Sequence, residues 1–206
     1  MRGLRTILGV SVLSISACAH AGGNAPAPEQ KPVLPPPVND ARSLPPQDAK
    51  ALADFNERVT QYAQLHQKLE GTLPALPKEA SPEAIDTHQR ALEKLIRSAR
   101  RGARPSDVIT QDTRRLFRRV LARVLSGPDG RNIKATILDE NPGRIQLSVN
   151  SRYPDSVPFS TVPPQVLSAL PTLPQELEYR FVGERLILLD VHAHIVVDFM
   201  DDVFPR

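Results

Sequence analysis

A chain of 206 residues with one cysteine and no tryptophan excludes a disulfide framework or a multi-thiolate zinc site within one chain, and offers few aromatic platforms for stacking on bases. Its 26 basic and 23 acidic residues give a formal charge of +3, but Arg2 and Arg5 fall within the first seventeen residues, and without them the count is 24 against 23. So even a balance gives no ground for a nucleic-acid partner.

The chain opens "MRGLRTILGVSVLSISAC", a basic start followed by an uncharged apolar run from Thr6 to Ala17. The run is too short for a membrane span, which needs about 20 apolar residues, and has the proportions of a secretory signal over residues 1–17. The next residues, Ile15-Ser16-Ala17-Cys18, resemble the lipobox of bacterial lipoproteins. That resemblance implies a diacylglycerol on the Cys18 sulfur and an acyl chain such as palmitate on its amino group. Several chains together anchor stably where one alone is marginal. Ala19, not an acidic residue, follows the cysteine, which by the same resemblance implies sorting to the outer membrane, facing the periplasm. An alternative stands beside it: the small residues of "AHA" suit ordinary cleavage after Ala21, giving a soluble periplasmic or secreted protein.

Of twenty-one prolines, eight lie within residues 22–46. Residues 18–46 therefore read as a Pro-rich linker with polyproline II bias, either a spacer or a plain disordered tail. A single α+β domain is expected over residues 47–206, helical over 47–126 and strand-rich over 127–206. Leu52, Phe55, Val59, Tyr62 or Ala63, and Leu65 or Leu69 recur three or four apart, which predicts an amphipathic helix ending at Gly71. Ser81-Pro82-Glu83 is a helix start signal, with Ile85, Leu92, Leu95 and Ile96 as the buried face. The short Pro-containing connection predicts a helical hairpin. A third helix sets Leu116, Phe117, Val120, Leu121 and Val124 against Arg114, Arg115, Arg118, Arg119 and Arg123, and Gly127-Pro128 stops it. One more short helix is expected before Asn141-Pro142-Gly143.

The period then changes. "RIQLSVN" alternates Ile145, Leu147 and Val149 on one face, as a half-buried strand does. "VPPQVLSALP" predicts a short helix between prolines, and "ELEYRFV", "RLILLDV" and "IVVDFM" predict an antiparallel meander.

Two clusters carry candidate chemistry. In "LLDVHAHIVVDF", a continuous strand would put Asp190, His192, His194 and Asp198 on one face, a donor set suited to zinc, copper or nickel. Two shorter strands with a turn at Val191–His194 are more economical, and that turn would splay the histidines. Between Arg97 and Arg123, nine arginines face only Asp107 and Asp112, while residues 127–206 carry seven basic against eleven acidic groups. Arg114, Arg115, Arg118, Arg119 and Arg123 thus form a candidate face for an anionic envelope polymer or an acidic protein, or else a solvated helix face. No nucleophile elbow, phosphate loop or nucleotide fingerprint occurs, so no enzyme and no cofactor are expected, and export disfavours nucleic acid.

The stretch "STVPPQVLSALPTLPQELEYRFVGERLILLDVHAHIVVDF" resembles a group of uncharacterised exported bacterial proteins. Its last half is loosely similar to the C-terminal hairpin of small periplasmic proteins of nickel and cobalt homeostasis. The resemblance implies an envelope location and no catalytic residue. The expectation is a lipid-anchored binding or interaction module, with the membrane as a partner through Cys18. The alternative is a periplasmic metal-binding or metal-responsive protein using His192, His194 and Asp190.

Overall fold

The computed structural model describes residues 43–139 and 145–204. The expected signal segment, Cys18, the cleavage point at Ala21 and the linker through residue 42 lie outside the described residues. Five helices precede or flank three strands: α1 (Pro46–Glu70), α2 (Pro82–Ala99), α3 (Gln111–Leu125), α4 (Gly130–Asp139), α5 (Pro164–Ala169), β1 (Leu177–Val182), β2 (Arg185–Asp190) and β3 (Ile195–Met200). The fold is α+β.

Local chemistry sets the helix ends. Pro46 opens α1, where its missing N–H costs nothing, and the Gly71 N–H closes it on the carbonyls of Gln67 and Leu69. Ser81 Oγ accepts the Ala84 N–H at 3.2 Å, and Thr110 Oγ1 accepts that of Thr113 at 3.4 Å. Each satisfies an N–H that has no partner within its helix. The α3–α4 corner requires glycine, since a Cβ on Gly130 would lie 1.9 Å from the Leu125 carbonyl oxygen.

The strands form an antiparallel meander in the order β1-β2-β3. Gly183, at φ 59°, makes the tight β1–β2 turn. Leu186 and Leu188 pack with the helices in the main core, together with Phe55, Leu92, Ile96, Phe117 and Leu121. Burying each of these side chains contributes about 1.5–3 kcal/mol. Ile187, Leu189, Val196 and Phe199 face the other way, onto Leu147 and Tyr153. The sheet is thus covered on both faces.

Two expectations change. Residues 145–150 do not form a strand: Asn150 stands at φ 67°, and the pairing that follows is one bridge, Arg152 with Ile195. The alternation still decided what is buried, since Ile145, Leu147 and Val149 all pack in the second core cluster. Ile85 is 47% exposed, because the first turn of α2 overhangs the core.

A bulge between Leu188 and Leu189 shifts the register so that Leu188 pairs with Asp198 and Leu189 with Val196. The extra residue is Val197. It packs in the main core, and Asp198 beside it also reaches the helical side, where it accepts the Val108 and Ile109 N–H groups. A bulge re-aims side chains in this way.

Candidate metal centre

The buried stripe of α1 runs Phe55, Val59, Tyr62 and then His66. Four residues further, on the same face, stands Glu70. His66 has 0% exposure, although apolar periodicity would place a leucine there. It tolerates this place because Asp190, at the end of β2 and on the helical side of the sheet, meets it. The His66 Nδ1 lies 2.6 Å from Asp190 Oδ2, and Tyr62 Oη donates to the same oxygen at 2.6 Å. Asp190 Oδ1 accepts the backbone N–H of His192 at 3.0 Å and of Ala193 at 2.7 Å. A fully buried carboxylate therefore holds four donors, as a buried charge requires.

With Nδ1 donating to Asp190, His66 turns Nε2 toward Glu70 Oε2, 3.2 Å away. His192 Nδ1 lies 3.3 Å from Glu70 Oε1, and its ring meets that of His66 edge-on, with centroids 5.2 Å apart. His88 on α2 brings Nε2 to 3.7 Å from Glu70 Oε1. One ligand atom each from His66, Glu70 and His192 lies within 4.8 Å of the other two. A neutral His66 bonded to Asp190 presents a lone pair to a carboxylate oxygen, and two acceptors at that distance need a proton or a cation between them.

The electrostatics point the same way. Burial is the largest influence on His66 and lowers its pKa, but the bond and charge of Asp190 and the charge of Glu70 outweigh it, so the net shift is upward. Nearby, Glu176 is 1% exposed. Its Oε1 accepts Gln67 Nε2 at 2.7 Å, while its Oε2 is buried without a partner. Among the described residues, Asp190 and Glu70 form ion pairs with histidines alone, and Glu176 forms none. Arg100 stacks over the Tyr62 ring at 5.0 Å but spends one amino group on the Val197 carbonyl. Burial lowers its pKa.

The residues expected from sequence divide. His192 belongs to the cluster. Asp190 belongs too, with both oxygens engaged in hydrogen bonds. His194 does not: Val191–His194 is the turn between β2 and β3, so the two histidines point apart. His194, at φ 58°, lies against Tyr153 and Phe159, with ring centroids 5.9 and 5.3 Å away. Its pKa is lowered by burial first and by the Arg152 charge second. Asp198 is part of a separate backbone-binding site.

No family model, no curated protein and no solved structure matches this chain.

The arginine face is largely occupied by its own domain. Arg114 is buried rather than displayed: Nε donates to the Ile109 carbonyl at 3.0 Å and Nη2 to that of Phe199 at 2.7 Å. Arg115 pairs with Asp112 and Arg119 with Asp48, and Arg118 donates to the Asp201 carbonyl at 3.2 Å. Arg123 is exposed. Among the described residues no helix is long and apolar enough to cross a membrane.

His66, Glu70 and His88 are what sequence reasoning missed. The signal was the spacing of Tyr62, His66 and Glu70, four apart on the side of α1 that also carries Phe55 and Val59.

Proposed function

We propose that the chain is a lipid-anchored cell-envelope protein whose folded domain binds a divalent transition-metal ion at His66, Glu70 and His192. The observation that carries the metal reading is the cluster itself: among the described residues, Glu70 and Asp190 converge on α1 with imidazoles as their only ion-pair partners, and the partly buried Arg100, which feels the Asp190 charge, forms no ion pair with either. A metal ion satisfies that arrangement and leaves the histidines neutral, as ligands must be. The unpartnered Glu176 oxygen adds to the local demand for positive charge. The "ISAC" lipobox supports attachment at Cys18 and an outer-membrane address. In this reading the domain is a binding protein, not an enzyme.

Calorimetric titration of the full chain with Zn²⁺, Cu²⁺ and Ni²⁺ tests it. Binding to the folded state alone stabilises by about 2.7 kcal/mol at a hundredfold excess over Kd, which raises Tm by roughly 5–10 °C in a domain of this size. His66→Ala and His192→Ala should remove that rise. No heat and no change in Tm at micromolar metal would overturn the proposal.

A further inference from the structure

We propose that the cleft between α2 and the turn at residues 148–151 is a binding site for a linear polyanion carrying phosphate groups. It shares no residue with the metal cluster and does not depend on that reading. The cleft has a volume of about 630 Å³ and is lined by Arg90, Lys94, Arg97 and Arg101; among the described residues lining it, Glu93 is the one carboxylate. At about 100° and 1.5 Å per residue, Arg90, Lys94 and Arg97 fall within about 60° of one another on α2. Arg101 follows just beyond the helix end, so the four cations make a row roughly 16 Å long with one charge per turn. Like charges at this spacing repel, a cost that a bound anion offsets.

The cations are available to a ligand. Among the described residues, Lys94 and Arg101, both exposed, form no ion pair. Arg90 pairs with Asp86 and Asp155, and Arg97 with Glu93, but the two arginine side chains are 52% and 54% exposed, and pairs this open hold weakly in water. Glu93 does not cancel the row, because Arg152 holds its other oxygen at 3.1 Å. On α3, by contrast, Arg114, Arg115, Arg118 and Arg119 are spent on their own domain. The opposite wall is fixed in advance. Asn150, at φ 67°, donates its N–H to the Val196 carbonyl at 2.8 Å. Its Nδ2 donates to the carbonyls of Arg97 and Arg100 at 3.2 and 3.1 Å. These bonds tie the turn to β3 and to the end of α2, so the width of the cleft is set before a ligand arrives. Ser148, exposed on that wall, adds a hydroxyl. A tetrahedral phosphate offers oxygens to both walls at once, whereas a planar carboxylate offers its two in one plane. Arginine's fork and lysine's point charge both suit phosphate. The length of the row calls for a chain of such groups rather than one.

The test is fluorescence anisotropy of end-labelled linear polyphosphate titrated with the full chain, in chelator so that the metal cluster takes no part. Polyphosphate long enough to span the row should bind, with log K falling against log salt at a slope of about −3 for four contacts. Inorganic phosphate at equal phosphate concentration should not displace it. Lys94→Gln combined with Arg101→Gln should weaken binding about tenfold or more and roughly halve the slope. Arg115→Gln combined with Arg123→Gln removes the same charge from α3 and should change affinity less than about threefold. All four positions are exposed, so both double variants keep the fold. Equal losses from the two pairs would mean that net charge alone is sensed and would overturn the site. So would displacement by inorganic phosphate, no binding at low salt, or binding to phosphatidylglycerol vesicles with none to polyphosphate.

Discussion

Replacing Asp198 by asparagine changes almost no volume and should cost this domain a large part of its stability. Asp198 is 0% exposed, and its carboxylate organises the loop between α2 and α3. Oδ2 accepts the Val108 N–H at 2.9 Å and the Ile109 N–H at 2.8 Å. Oδ1 accepts those of Phe199 at 2.8 Å and Ser106 at 3.2 Å. Ser106 stands at φ 79°, a conformation that serine adopts only when its surroundings enforce it. Asparagine turns one oxygen into an NH₂ group aimed at two N–H donors, so two of the four bonds disappear. Bonds to a charged acceptor contribute about 1.5–3 kcal/mol each, which makes the loss about 3–6 kcal/mol, against a total of about 5–15 kcal/mol for a typical domain. Urea unfolding followed by far-UV circular dichroism should show the midpoint falling by about 2 M at an m-value near 2 kcal/mol/M. Asp201→Asn, at a half-exposed ion pair with Arg185, is the control and should change stability by less than about 1 kcal/mol. A loss below about 1 kcal/mol for Asp198→Asn would refute the argument that this carboxylate holds the loop.

Three further outcomes are expected. In the metal-free protein, the raised His66 pKa means that its contribution is complete below about pH 6.5, the unperturbed value, and is lost as pH rises through the folded value. Calorimetry in chelator should therefore show Tm falling on that rise, and His66→Gln should flatten the dependence; metal affinity should run the other way, increasing with pH. Arg114→Leu leaves two buried carbonyls without donors and should cost about 2–4 kcal/mol by urea unfolding, whereas Arg123→Leu should stay within about 0.5 kcal/mol; equal effects would contradict the difference in burial. Intact-mass analysis of the mature protein should show a lipid-modified N-terminal Cys18 that Cys18→Ser abolishes, and an unmodified chain beginning at Gly22 would refute lipid attachment.

The helices were legible because their signals are local. Ser81-Pro82 and the Leu116/Phe117/Val120/Leu121/Val124 stripe state both a boundary and a face within one or two turns. Residues 145–150 misled because period-2 alternation reports which side chains are buried, not whether the backbone finds a strand partner. Arg114 was grouped with the outward arginines although it lies three and seven positions from Phe117 and Leu121, on the flank of the apolar stripe. What buries it is the loop before α3 and the end of β3, neither visible from the helix alone. The candidate metal centre was half legible. His192 and Asp190 stood out as neighbours in sequence, but His66 makes sense as a buried polar residue only once residue 190 is known to face it. His194 looked equivalent to His192 because a two-residue spacing means one face only in a continuous strand.

The Asp190–His66 bond spans 124 residues, which makes the order of synthesis matter. Helix α1 is made first and carries Tyr62, His66 and Glu70 along a stripe that cannot pack dry until the carboxylate of Asp190 arrives. A chain that stops short of β2 still offers Phe55 and Val59 the side chains of α2 and α3 to pack on, but leaves His66 without its carboxylate. The two ends of α1 therefore differ: the Phe55 end is covered by helices made soon after it, whereas the His66 end is complete only with the last residue of β2.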